Sequence, residues 1–147
     1  MINAGINVEG LKEFRRDLKK IDPELVKELR TELLSIATEI ALETRQRVPT
    51  GPTGRARASV RAGVSGNNAY VAGGKASVPY YGWLDFGGRT PVTGNPRSVG
   101  PWKGSGPGPR SGRYIYPTIV RNKRDIEQKA QQAFDKAADS ALKKSYE

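Results

Sequence analysis

The run Asp22-Pro23-Glu24-Leu25-Val26-Lys27-Glu28-Leu29-Arg30-Thr31-Glu32-Leu33-Leu34-Ser35-Ile36-Ala37-Thr38-Glu39-Ile40-Ala41-Leu42 carries the clearest structural signal in the chain. Leu25, Leu29, Leu33, Ile36 and Ile40 recur at spacings of three and four, and Val26, Leu34, Ala37 and Ala41 widen the same stripe. That period is helical, because residues three and four apart share one face. Asp22 offers an N-cap oxygen, and Pro23 suits the first helical position, where its missing N–H costs nothing. Acids crowd the first turns and Arg45 and Arg47 the last, as the helix dipole favours. Pro49 ends the pattern.

On the upstream side, Leu11, Phe14, Leu18 and Ile21 form the stripe of a shorter helix, preceded by an extended segment at Ile6-Asn7-Val8. Downstream, Pro49 to Gly54 breaks the helix and the text changes to short β-like runs. Residues 58–64 and 69–72 read as strands of a hairpin joined through Gly66-Asn67-Asn68, residue types that tolerate positive φ. Residues 78–86 read as a third strand, dense in Tyr80, Tyr81, Trp83 and Phe86, with Pro79 placing its start at a sheet edge. Tyr114-Ile115-Tyr116 is expected to return to the sheet. Pro117 then opens a last helix to about Lys144, whose apolar face is Ile119, Ile126, Ala130, Ala133, Phe134, Ala137, Ala141 and Leu142. Alanines bury little area each, so this helix needs the second helix or a neighbouring subunit to pack against. The expected fold class is α+β: a twisted, mainly antiparallel sheet with two N-terminal helices, one long C-terminal helix and a long Gly/Pro-rich loop.

The loop is residues 87–112, with eight glycines, five prolines, four basic side chains and no acid. A buried element is excluded by that composition, and loops of this length are functional or disordered. Val92, Val99 and Trp102 within it are apolar groups in search of a surface, which predicts an arm that orders on a partner. Length adds a related expectation: 147 residues make one domain, 1–147. Its 30 Leu, Ile, Val and Phe residues are about a fifth of the chain, near the limit below which chains stay unfolded. Oligomerisation would supply the missing burial.

Composition also narrows the chemistry. Neither cysteine nor histidine occurs, which removes disulfides, thiol nucleophiles, the commonest metal ligands and the usual general base near neutral pH. Net charge is +10, but residues 44–124 carry fourteen basic side chains against one acid, Asp85, while both ends are nearly balanced. Such a field suits a polyanion or an acidic protein surface, or it keeps a solvated face soluble. A lone carboxylate in the middle section cannot form a local acid pair. No phosphate-loop spacing appears: Gly104-Ser105-Gly106 is followed by Pro109 where the dinucleotide motif needs glycine. Helix-turn-helix, zinc-finger and RNA-binding signatures are absent too. The reading is therefore a non-enzyme, with no catalytic residues, no cofactor and no metal. The start lacks a leader-like segment and no apolar run suits a membrane span, so the chain is expected to be soluble and intracellular, without a membrane partner.

The order of short motifs resembles the small neck proteins of long-tailed bacteriophages, the head-tail joining, tail-completion or tail-terminator family. Val8-Glu9-Gly10-Leu11 stands for its opening segment, followed by two helices; Val48-Pro49, Thr53-Gly54-Arg55 and Ser59-Val60 for the lead into a basic strand; Pro79-Tyr80-Tyr81-Gly82-Trp83-Leu84-Asp85-Phe86-Gly87 for an aromatic segment usually written with Glu where Asp85 stands; and Tyr114 to Thr118 for the aromatic-proline junction before the closing helix. The loop 87–112 is longer and more basic than in a typical member. The resemblance implies a structural virion protein at the head-tail junction, assembled as a ring of identical subunits, a hexamer, present in the host cytoplasm during assembly. Its partners would be a neighbouring neck ring and the tail tube, with non-specific contact to DNA in the channel. Tyr80, Tyr81, Trp83, Phe86 and Trp102 are expected to pack the subunit or its neighbour, and Asp85 to pair with a basic residue of an adjacent surface. Arg89, Arg97, Lys103, Arg110 and Arg113 form the basic loop, facing a neighbouring ring or the channel. The alternatives are a basic nucleic-acid-binding protein and another minor tail or tail-tube subunit.

Overall fold

The computed structural model describes residues 2–6, 10–65, 68–86 and 112–145. Along the chain run β1 (Ile2–Ile6), α1 (Leu11–Ile21), α2 (Pro23–Arg47), α3 (Arg55–Ser59), β2 (Arg61–Ser65), β3 (Asn68–Gly73), α4 (Tyr81–Phe86), α5 (Ile115–Arg121) and α6 (Lys123–Ser145). The strands form one antiparallel sheet in the order β1-β3-β2, and with the helices they make an α+β fold.

Helix α2 is the spine. Asp22 accepts a hydrogen bond from the Glu24 N–H at 3.0 Å, the cap its position predicted. The stripe Leu25, Leu29, Leu33, Ile36 and Ile40 is buried, and α2 packs against α1, α5 and α6 as well as β2 and β3. Ala130, Ala133, Ala137 and Ala141 of α6 are all buried, so the small-residue face finds the helix partner it needs within the same chain. Phe14 of α1 meets Phe134 of α6 edge-on, ring centroids 5.0 Å apart at 77°. A row of polar contacts runs up α2 and down α6: Asp22 with Lys144, Glu32 with Lys136 at 3.0 Å, Glu39 with Lys129, and Glu43 with Asn122 at 2.7 Å. Exposed pairs of this kind are individually weak, so the buried alanine seam carries the packing while the row matches an antiparallel register. Lys129 also pairs with Asp125 at 3.0 Å; hydrogen bonds to Glu39 first and Asp125 second hold its ammonium above the ordinary lysine range.

In the hairpin, Gly63 stands opposite Tyr70, and Ala62 opposite Val71. Ala69 and Val71 of β3 join the core, with Ala62 and Val64 of β2 packed against it. At the end of β3 the ring of Tyr81 lies on Gly73, where a Cβ would come within 2.3 Å of it.

Four expectations are corrected. The strand expected over 58–64 begins only at Arg61, because Gly54 at φ 66° turns the chain into the short helix α3 first. The third strand expected over 78–86 does not form: Lys75 and Val78 make an isolated bridge, and Tyr81–Phe86 is helix α4. Tyr114-Ile115-Tyr116 does not return to the sheet but enters helix α5. The last helix is also two helices, separated at Asn122, whose side chain bonds the Thr118 carbonyl at 2.8 Å and Glu43. The turn residues Gly66 and Asn67, the extended positions Asn7 and Val8, and the arm at residues 87–111 lie outside the described residues.

Candidate functional site

Helix α4 ends one residue before the long Gly/Pro-rich segment, and α5 begins three residues after Gly112. Asp85 joins the two ends. Its Oδ1 accepts from the backbone N–H of Arg113 at 2.7 Å and of Tyr114 at 3.0 Å, while Oδ2 accepts from the Tyr81 hydroxyl at 3.0 Å and the Ile115 N–H at 3.4 Å. A carboxylate has about four acceptor sites, and four donors occupy them here. Ile115 is the first residue of α5 and Tyr114 and Arg113 lead into it, so a carboxylate 28 to 30 residues upstream gathers the backbone N–H groups at the entry to the helix, where a negative charge is favoured. Gly112 turns the chain into this arrangement at φ 78°.

Tyr81 completes the clamp. It is 1% exposed, its ring lies on Gly73, and it sits one helical turn before Asp85, which brings hydroxyl and carboxylate together. Burial, and after it the neighbouring Asp85 charge, pushes the phenol far above the ordinary tyrosine range, so it remains a proton donor.

This geometry overturns one assignment. Asp85 is 0% exposed and its acceptors are filled from within the chain, so it does not pair with a basic residue of an adjacent surface. Tyr81 packs its own subunit. Tyr80 is half-buried against the core, and Arg113 is exposed at the foot of α5 with Nη1 3.5 Å from the Leu84 carbonyl. The side chains of Trp83 and Phe86, and residues Arg89, Arg97, Trp102, Lys103 and Arg110, lie outside the described residues.

The arginines that follow α2 are used in ways the sequence reading missed. Arg57 donates to the carbonyls of Arg45 at 2.7 Å, Val48 at 3.1 Å and Gln46 at 3.1 Å, closing off the last turn of α2. Arg45 donates to the Val60 carbonyl at 2.6 Å, and Arg61 to the carbonyls of Ser59 and Gly74 at 2.9 Å each. Ser59 links the same junction, donating to Ala56 and accepting from the Gly74 N–H at 2.9 Å. Three cations of the basic middle section thus hold backbone together. A planar guanidinium with five donors suits several carbonyls at once, a signal visible in sequence only as arginine near a helix end.

Among the described residues no group of three or more carboxylate, histidine or cysteine side chains gathers as a metal site, and no helix is long and apolar enough to cross a membrane. No family model, curated protein or solved structure matches the chain.

Proposed function

We propose that the chain is a structural virion protein that assembles as a ring of identical subunits at the head-tail junction of a long-tailed bacteriophage, as a tail-completion or connector subunit. It works by holding neighbours together, not by catalysis. The observation that carries this reading is the meeting of two motifs on which the resemblance rests. Asp85, from the Pro79 to Gly87 segment, bonds to the backbone of Arg113, Tyr114 and Ile115 at the aromatic-proline junction. Segments far apart in the sequence are one clamp in the fold, and on this reading the basic side chains that the sequence places between them serve a partner.

Val120, Leu142 and Leu42 are more than half exposed, at 69%, 57% and 51%, which gives a ring apolar surface to cover. A sixfold ring, contacts with a neighbouring neck ring and tail tube, and residence in the host cytoplasm before incorporation follow from the same reading. The structural use of Arg45, Arg57 and Arg61 weakens the case for a free nucleic-acid-binding protein, which rested on the charge of the middle section. Disrupting the gene in an otherwise intact phage tests the proposal. Heads and tails that accumulate unjoined are expected, and infectious particles at normal yield would overturn it. Loss of tails altogether would favour a minor tail or tail-tube subunit instead.

A further inference from the structure

Beside the Asp85 clamp lies an open cleft of about 800 Å³, lined by Arg47, Arg113, Tyr114, Pro117, Val120 and Arg121. Its chemistry is unusual for a surface of this chain. Three arginines line the cleft together with Tyr114, Pro117 and Val120, and no acidic side chain does. Arg47 is partly neutralised by Glu43 at 3.3 Å, but among the described residues neither Arg113 nor Arg121 has a carboxylate partner. Among the lining residues, Val120 is the most exposed large hydrophobic residue described.

We infer that this cleft is a docking site for an acidic segment of a partner protein, one that places an aliphatic or aromatic side chain on Val120 and Pro117 and its flanking carboxylates on Arg113 and Arg121. The combination decides the class of ligand. Arginine and tyrosine around an apolar pocket are the groups that dominate protein interfaces, where an anchor side chain is buried and a charged rim fixes its register. A single guanidinium can hold a carboxylate with two parallel hydrogen bonds. A phosphodiester backbone would satisfy the arginines but bring nothing to cover Val120 and Pro117. The chain's own loop is a poor occupant on charge, since residues 87–112 hold four basic side chains and no acid. The inference stands on the cleft alone and does not depend on the place of the protein in a virion.

A display library of random twelve-residue peptides, selected on the full-length chain, tests it. Enrichment of peptides with two or more Asp or Glu around a Leu, Ile, Phe or Trp is expected. Synthetic copies of the winners should bind wild-type protein and lose about tenfold or more in affinity to Arg121→Glu and to Val120→Asp. Both positions are exposed, so circular dichroism should show these variants folded. A variant that fails to fold is replaced by Arg113→Glu, whose side chain makes none of the clamp bonds. The inference is overturned by absence of enrichment, by enrichment of neutral or basic peptides, or by winners that bind the variants as well as wild type. It is also overturned if short duplex DNA displaces the winners from the cleft and itself loses binding in Arg121→Glu.

Discussion

The carboxylate of Asp85 and the backbone nitrogen of Arg113 are 28 residues apart in sequence and 2.7 Å apart in space. That bond, with its companions to Tyr114 and Ile115, closes the two ends of the Gly/Pro-rich segment on each other and starts helix α5. Replacing Asp85 with Ala leaves the buried Tyr81 hydroxyl and Ile115 N–H, and the part-buried N–H groups of Arg113 and Tyr114, without their acceptor, and a loss of about 3 kcal/mol or more is expected. Asp85→Asn keeps one acceptor oxygen but turns an amide toward donors, so a smaller loss of about 1 to 2 kcal/mol should follow. Urea unfolding of both variants checks the order. Equal stability of Asp85→Ala and wild type would contradict the clamp. Because Asp85 is buried, Asp85→Lys should fail at folding rather than at assembly alone.

Tyr81→Phe removes the hydroxyl from Oδ2 and should cost about 1 kcal/mol near neutral pH. The dependence on pH has a definite sign. Folding raises the Tyr81 pKa, so the stability it contributes is complete below the unfolded value of about 10 and is lost as pH rises above it. Phenylalanine has no proton to lose. The stability gap between wild type and Tyr81→Phe should therefore shrink between pH 8 and pH 11, measured by denaturant unfolding at each pH. A gap that widens would contradict the buried, neutral phenol.

Two glycines lie under tyrosine rings, and their substitutions should differ. A Cβ at Gly73 would meet the Tyr81 ring at 2.3 Å, and that ring is buried and tied to Asp85. A Cβ at Gly63 would meet the far end of Tyr70 at 2.4 Å, but Tyr70 is half-buried and its ring can swing away. Gly73→Ala is expected to cost about 2 to 3 kcal/mol, and Gly63→Ala less than about 1 kcal/mol. Thermal or urea midpoints of the two variants decide it.

Arg57→Lys keeps the charge but loses the fork that reaches three carbonyls at the end of α2. A loss of about 1 to 2 kcal/mol is expected, with amide exchange rising first in the last turn of α2 and at the start of β2. If charge alone mattered, Arg57→Lys would match wild type.

How much the sequence disclosed depended on how local each cause is. Helix α2 was legible because its stripe, its Asp22 cap and its Pro23 start all lie within one segment, and the α6 alanines announced their need for a partner helix. The pairing of β2 with β3 was legible from the turn between them, although Gly54 delays β2 behind a helical turn. Tyr80 to Phe86 misled because aromatic density favours strands. Its helix is reinforced by the Tyr81 hydroxyl reaching Asp85 four residues on and by the seat on Gly73, neither visible in propensity. Tyr114 to Tyr116 misled for a related reason: the carboxylate at the entry to α5 is that of Asp85, far upstream. Asp85 stands out in the sequence as the lone acid of a basic section. Its role was misjudged, since only the fold shows backbone N–H groups, not cations, to be its partners.

The central claim, a ring subunit at the head-tail junction, is tested most directly by cryo-electron microscopy of purified virions at that junction. The account predicts a closed ring of density between portal and tail tube into which α2, α6 and the three-stranded sheet fit in every subunit, with added density where residues 87–111 leave the Asp85 clamp. Virions that lack the chain, with the junction fully accounted for by other proteins, would contradict it.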